Sequence, residues 1–556
     1  MAPTMAGVVV VGGGLAGLTA ACELLERGCK VTIIEKNANL GGNASKATCG
    51  IAVPGSSFQR EAGVEDTAAD LMAEGPAAKA LITNGSKDVE WLTSAIGVKD
   101  EMSLRLTPGH GKTARTLGTK THFPGAVVTY AVIHVLESIA QAKPDLLQII
   151  TGASVTRILT QGSKVTGVEF NRGQGSETLQ GLVLLSTGGF AGDSSPNSIL
   201  AQVAPALLNM PSTNDERFNG DGIRLGAAVG AATEKLNHVS IYPTAAVIPG
   251  QEAEKFKIVV SDAICGAGGK LINAEGAQFV DELASAQVRS DAMMKGKGPF
   301  RLVIAEKDSE SVQWLCDFYT TRKVMKKYSS DWEMAGDLKI PASSLLHLGA
   351  GPLYVAMVTP ALYSCGGGLS TSFDDSNTCR VLSTKGVPIE GLFAAGELAS
   401  APYPGLWAVS GMPLLHCVYT GRCAGRSAAA ALGATAVVTP MNKIATSADA
   451  PKSADALKVV EEKKKPEDMT KDELIEYVKK LEAAPPPAAA AAAVPVADLG
   501  ISMAEVAKHN TKADAWIVLM GEVLDVTQWI SIHPGGEKAI ESYLGTDATE
   551  EWQMIH

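Results

Sequence analysis

A glycine turn between two apolar strands constrains this chain more than any other feature. Val8-Val9-Val10-Val11 reads as a buried strand, and Gly12-Gly13-Gly14-Leu15-Ala16-Gly17 turns it into a helix. A second apolar run, Val31-Thr32-Ile33-Ile34, closes on Glu35 and Lys36. In such a unit Gly12 permits the tight turn, Gly14 lets the backbone approach a pyrophosphate, and Gly17 lets the helix pack closely on the strand. The helix N-terminus offers free N–H groups to the phosphates. Glu35 is placed for the ribose hydroxyls, and Lys36 is grouped with it as a cofactor residue. The pattern predicts a dinucleotide-binding α/β unit. A signal sequence or membrane span is the competing reading of residues 6–25. The lack of a basic leader and the three consecutive glycines argue against it.

Length and charge narrow the class further. The 556 residues suffice for several domains, and the 46% hydrophobic content can fill large cores. A net charge of −11 excludes nucleic acid and anionic lipid as main partners. No other segment reads as membrane-spanning. The nine cysteines are scattered singly, which predicts free thiols in a reducing compartment.

Strand-like runs, glycine turns and helical stretches alternate to about residue 435. Leu182-Val183-Leu184-Leu185 and Gly391-Leu392-Phe393-Ala394 read as returns to the first sheet. The intervening 239–360 is more charged and reads as an inserted domain. The expected organisation is therefore 1–238 and 361–435 as two parts of one domain, with 239–360 between them. A linker spans 436–498, and a small module covers 499–556. Within the linker, Thr470 and Glu473 form a capping box ahead of Leu474, Ile475, Val478 and Leu481, which share one helical face. Residues 484–495, rich in proline and alanine, read as a semi-rigid spacer.

Several linked motifs in the first 435 residues resemble the FAD flavoproteins of the fumarate reductase and succinate dehydrogenase family, in particular its soluble fumarate reductase branch. Gly41-Gly42-Asn43-Ala44-Ser45 is similar to the segment that wraps the FAD pyrophosphate and ribityl chain, with Gly50 following. Ser186-Thr187-Gly188-Gly189-Phe190, Gly220-Asp221-Gly222 and Ala394-Ala395-Gly396-Glu397 match three further family segments. The resemblance implies a Rossmann-like FAD-binding domain with an inserted α+β capping domain. It also implies cofactor contacts at Thr187, Gly188, Asp221, Gly396 and Glu397. Phe279-Val280-Asp281-Glu282-Leu283 through Arg289-Ser290-Asp291 resembles the stretch that supplies the proton-donor arginine, which places Arg289 in that role.

Fumarate is a dianion, and its reduction needs both carboxylates held and a proton delivered. The resemblance implies two histidines, two further arginines and a Thr-Glu pair for this work. The chain departs at nearly all of them. Tyr242-Pro243-Thr244 stands at the first histidine motif, and Ser261-Asp262-Ala263-Ile264-Cys265-Gly266 at a segment whose arginine has become Cys265. Tyr363-Ser364 replaces a histidine pair. Pro404-Gly405-Leu406-Trp407-Ala408-Val409-Ser410-Gly411-Met412 replaces an arginine-bearing loop and contains no arginine. A hydrogen bond from a charged donor contributes roughly 1.5–3 kcal/mol. Losing three or four removes on the order of a thousandfold in rate or affinity. Arg289 is then expected to be vestigial unless His238, His347 or His416 fills a vacated position.

Residues 499–556 resemble a cytochrome b5 domain, from Ser502 through His533-Pro534-Gly535-Gly536 and Asp547-Ala548-Thr549. The resemblance implies a small α+β fold, haem b, and axial ligation by His533 and His556. Iron held by two imidazoles carries electrons rather than binding oxygen. His509 fits a non-ligand role.

Three readings follow from the sequence. The chain is an FAD- and haem-bearing structural or electron-relay component of an oxidoreductase assembly, by resemblance a mitochondrial respiratory one, with the cytoplasm as the alternative. Or it is an active soluble fumarate reductase. Or it is a flavoenzyme acting on another, less charged enoate.

Overall fold

The computed structural model describes residues 7–66, 71, 76–173, 175–341, 351–372, 378–403 and 405–444. In the C-terminal part it describes 494–495, 502–512, 514–519, 522–527, 530, 540–541 and 543–549. The chain divides into two compact units, Met1–Ala445 and Thr446–His556.

In the first unit the valine run forms strand Gly7–Val11, and its four valines are buried. Helix Leu15–Glu26 is buried along its whole length, because one side packs on the sheet and the other meets helix Met412–Ala431. Strand Val31–Ile34 pairs in parallel with the first strand, Val8 opposite Val31 and Val10 opposite Ile33. On the other side Gly175–Leu185 pairs in parallel, Val10 opposite Leu184, and Pro388–Ala394 continues the sheet outward. Both later runs therefore return to the first sheet. Leu147–Ile150 and Arg380–Leu382 form its edges, and the hairpin Ala153–Gln161 and Lys164–Arg172 extends from Gly175–Leu185. Apolar residues on every central strand suit a sheet covered on both faces.

A second, antiparallel sheet joins Val239–Ala246, Leu353–Cys365, Phe300–Ala305, Lys270–Ile272 and Met325–Tyr328. It is the capping layer. Its longest strand runs on to Cys365, so 361–365 belong to this sheet rather than to the flavin domain. The boundary at 435 is also too early. Met441 and Ile444 are buried, and the Met441 N–H donates to Glu26 at 2.9 Å. The alanine- and lysine-rich composition beyond 436 hides this last anchored turn.

Helix Pro124–Ala142 is long and apolar enough to cross a membrane by length and composition alone, and more than half of it is buried inside the fold, as in a core helix. It packs against Leu15–Glu26 and the 3-10 turn Gly42–Lys46. None of the nine cysteines is in a disulfide, and Cys379 and Cys423 share a side-chain hydrogen bond.

In the second unit Asn510–Thr511, Asp514–Leu519, Glu522–Asp525 and Val494–Pro495 form one sheet over a core that includes Ile517, Val526, Ile540 and Tyr543. Val494–Pro495, read as spacer, pairs with Glu522–Asp525, so this module begins before 499. His509 stacks on Trp516 at 3.6 Å and holds Asp514 at 2.8 Å, which occupies its ring. The capping box at Thr470 and the ligand positions His533 and His556 lie outside the described residues.

Candidate functional site

The glycine fingerprint has three distinct physical roles in the fold. Gly12 sits at φ +105°, and a Cβ there would meet the Ser186 carbonyl at 2.6 Å. A Cβ on Gly17 would meet the Gly12 carbonyl at 2.2 Å, so Gly17 sets the helix–strand approach. A Cβ on Gly14 would meet nothing closer than 4.0 Å. That open space lies at the helix N-terminus, where a pyrophosphate approaches. Gly17→Ala is therefore expected to destabilise the unit by about 1–3 kcal/mol through overpacking. Gly14→Ala is expected to keep the melting temperature of the cofactor-free protein and to lower flavin content at isolation. Thermal melts and flavin absorbance separate the two.

A cleft opens here, lined by Gly12, Gly14, Glu35, Lys36, Gly42, Asn43, Ala44, Thr187, Gly188, Asp221, Gly396 and Glu397 among others. Glu35 accepts the Gly13 N–H at 2.7 Å and the Asn37 N–H at 2.9 Å, which fixes its carboxylate at the strand end. Lys36 donates to the Arg217 carbonyl and pairs with Asp221 at 2.8 Å, so two candidate residues 185 positions apart close one wall. Gly220 starts the Asp221 helix from a left-handed conformation, φ +83°. Thr187 lines the cleft, but its Oγ1 faces Gly222. Gly17, Gly41 and Ser45 do not line it. Ser45 bonds the Gly42 carbonyl at 2.9 Å and shapes the turn from behind.

A second cavity shares Asn43, Ala44, Glu397 and Cys417 with the first, so the two are ends of one trough. Gly50 lines this end, at φ +127° and against the Leu117 carbonyl, where any Cβ would clash at 2.0 Å. Tyr242 and Tyr363 stand together with ring centroids 4.9 Å apart. The Tyr242 hydroxyl lies 3.4 Å from the Cys49 sulfur. Burial raises the ionisation of both tyrosines and of Cys49 above their ordinary values, so all three are neutral at pH 7. Trp407, Ala408, Val409 and Ser410 complete a wall without an arginine.

Arg289 is fully buried on helix Ala286–Lys295 and does not line the trough. Its two terminal nitrogens grip Asp262 at 2.8 and 3.0 Å, and Nε donates to the Ala284 carbonyl at 3.1 Å. Burial opposes its charge, but the Asp262 carboxylate outweighs burial and holds the guanidinium above its ordinary value. Asp262 is the member of the pair that faces the cavity. Lys46 is the only basic side chain lining this end among the described residues, and Asp215 holds it at 2.7 Å.

The histidines do not repair the site. His238 is exposed and His347 lies outside the described residues. His416 is buried behind Tyr403 and Trp407, with ring centroids at 4.4 and 5.2 Å, and burial lowers it to about 3. Sequence reading missed Asn214, Arg217, Cys49 and Cys417 as lining residues. The one signal for Asn214 was its place seven residues ahead of Asp221 in a turn-rich stretch.

The arrangement fits FAD. The open face of Gly14, the glycine-lined cleft and the buried, unpartnered Asn43 Oδ1 all await a phosphate- and hydroxyl-rich ligand. Residues 7–414 match the FAD binding domain family, and residues 502–556 match the cytochrome b5-like heme/steroid binding domain. The chain is 32% identical over 464 residues to a fumarate reductase of Schizosaccharomyces pombe, covering 76% of this chain and 89% of that protein. It is 28% identical to fumarate reductase 1 of Saccharomyces cerevisiae, covering 76% and 98%. A flavocytochrome c3 fumarate reductase in its open conformation shares the fold, with a TM-score of 0.60 at 22% identity over 77% of this chain and 78% of that one. The chain belongs to the fumarate reductase group of FAD-binding flavoproteins and carries a C-terminal cytochrome b5-like domain. Its cofactors are FAD and haem b.

Proposed function

We propose that this flavoprotein does not turn over a dicarboxylate and serves as a structural or electron-relay component of a respiratory or other oxidoreductase assembly. The carrying observation is electrostatic. Asp262 and Glu397 line the substrate end, Lys46 is neutralised by Asp215, and Arg289 is consumed by Asp262. Transferring a dianion into such a cavity costs several kcal/mol per charge, and no cation there repays it.

FAD supplies two-electron chemistry when bound, held by Gly14, Glu35, Asn43 and Gly396. The chain's own residues orient it and exclude water. Helix Leu15–Glu26 would present its N–H groups to the phosphates, and Tyr242 of the capping sheet and Asp262 of helix Asp262–Gly266 line the far end. His533 and His556 are the proposed haem ligands, and the haem module exchanges electrons with the flavin. The mitochondrion is the proposed compartment, with the cytoplasm as the alternative.

The test is anaerobic addition of excess fumarate to the reduced full-length holoprotein. The flavin spectrum should stay reduced, while the haem bands follow the flavin during stepwise reduction. Reoxidation of flavin with matching succinate formation would sink the reading in favour of an active fumarate reductase. A second reading, reduction of a less charged enoate, is favoured by the neutral Tyr242–Tyr363 pair.

A further inference from the structure

Among the buried polar atoms, three unpartnered ones belong to residues that line the substrate end of the trough. They are Trp407 Nε1, Ser364 Oγ and Ser410 Oγ, and their residues are 6%, 4% and 9% exposed. A buried donor without an acceptor costs roughly 1–3 kcal/mol, so three among the residues around one cavity mark a place prepared for a ligand. All three are uncharged. Trp407 stands in the loop segment where the family's arginine is absent, and offers one neutral N–H donor instead.

We propose that this end binds a neutral, flat carbonyl compound, an α,β-unsaturated ketone or ester. The inference rests on the reading that dicarboxylates are not held. A carbonyl oxygen has two lone pairs and no charge to desolvate, so neutral N–H and O–H donors satisfy it fully. The rings of Tyr242 and Tyr363, tilted by 35°, give a flat ligand an aromatic wall. Ala408, Val409 and Leu414 supply apolar surface for its carbon skeleton. Asp262 is neutralised by Arg289, and neither it nor Glu397 offers an anion a positive charge in the same space. Ligand sites of this kind are mostly apolar with a few convergent polar groups.

The experiment titrates the full-length holoprotein with cyclohexenone, fumarate and succinate in turn, following the flavin bands and tryptophan fluorescence. Cyclohexenone is expected to give a saturable shift, and the two dicarboxylates none up to the same concentration. Trp407→Phe is expected to weaken cyclohexenone binding roughly tenfold, the worth of one hydrogen bond. Ser364→Ala is expected to weaken it severalfold, and it guards against a folding defect in the tryptophan variant. If no ligand shifts either signal, or if both variants bind as the parent does, the inference falls while the relay reading stands. If fumarate binds more tightly than cyclohexenone, both fall.

Discussion

Asp262→Asn is expected to cost the fold about 3–5 kcal/mol, the usual penalty for leaving a buried charge without its partner. Arg289 cannot shed its proton, and its side chain has no exposed surface. Its other contacts, the Ala284 carbonyl and the Cys265 sulfur at 3.7 Å, do not neutralise it. Urea unfolding followed by released flavin fluorescence reads the loss in this unit. Asp262→Leu combined with Arg289→Met is expected to recover most of it, because two apolar side chains remove both desolvation costs together. The pair also decides function. A working proton donor must reach the substrate cavity, whereas Arg289 lies behind Asp262 and does not line it. On the proposed relay reading, the double variant is expected to leave flavin-to-haem electron transfer as it is in the parent. A cost below 1 kcal/mol for Asp262→Asn would show the pair to be open to water and the arginine free to act.

Local patterning was readable because its physics is local. The turn at Gly12, Gly14 and Gly17 and the acid at Glu35 lie within one strand–helix–strand unit, and period and spacing specify such a unit directly. The parallel returns at 182–185 and 391–394 were readable for the same reason, as apolar runs bounded by glycine. What stayed hidden is long-range. Lys36 meets Asp221 across the whole first half of the unit, and Asn43 donates to Asn214 at 2.5 Å, so the cleft wall is assembled from segments with no mutual signature. Arg289 and Asp262 were each visible as motif positions, but not their union. Two short helices, Asp262–Gly266 and Ala286–Lys295, bring them together. The ends of domains failed on composition. Alanine and lysine around 436 resemble linker, yet Met441 and Ile444 are buried and the backbone at Val438 bonds the Glu26 carbonyl at 2.8 Å.

Glu397 is expected to give the flavoprotein unit an inverted pH dependence that Glu397→Gln abolishes. The carboxyl is half-buried where the two ends of the trough meet, and accepts the Cys365 N–H at 2.6 Å. Burial outweighs that bond and raises it from 4.5 to about 7. Between these two values the folded protein keeps a proton that the unfolded chain has released. Its stabilising effect is therefore complete below pH 4.5, is lost as pH rises to 7, and is flat above. The size is about 3 kcal/mol. His110 and His416 oppose it. Burial lowers them from 6.5 to about 4 and about 3, so their contribution is complete above 6.5 and is lost on acidification. The parent curve mixes both slopes, and the difference between variant and parent isolates the glutamate. Glutamine keeps an acceptor for the Cys365 N–H and has no proton to lose. From pH 4.5 to 8 the variant should gain about 3 kcal/mol relative to the parent, measured by urea midpoints in matched buffers. A difference that stays constant across that range would place Glu397 in contact with water, with its carboxylate fully ionised at neutral pH.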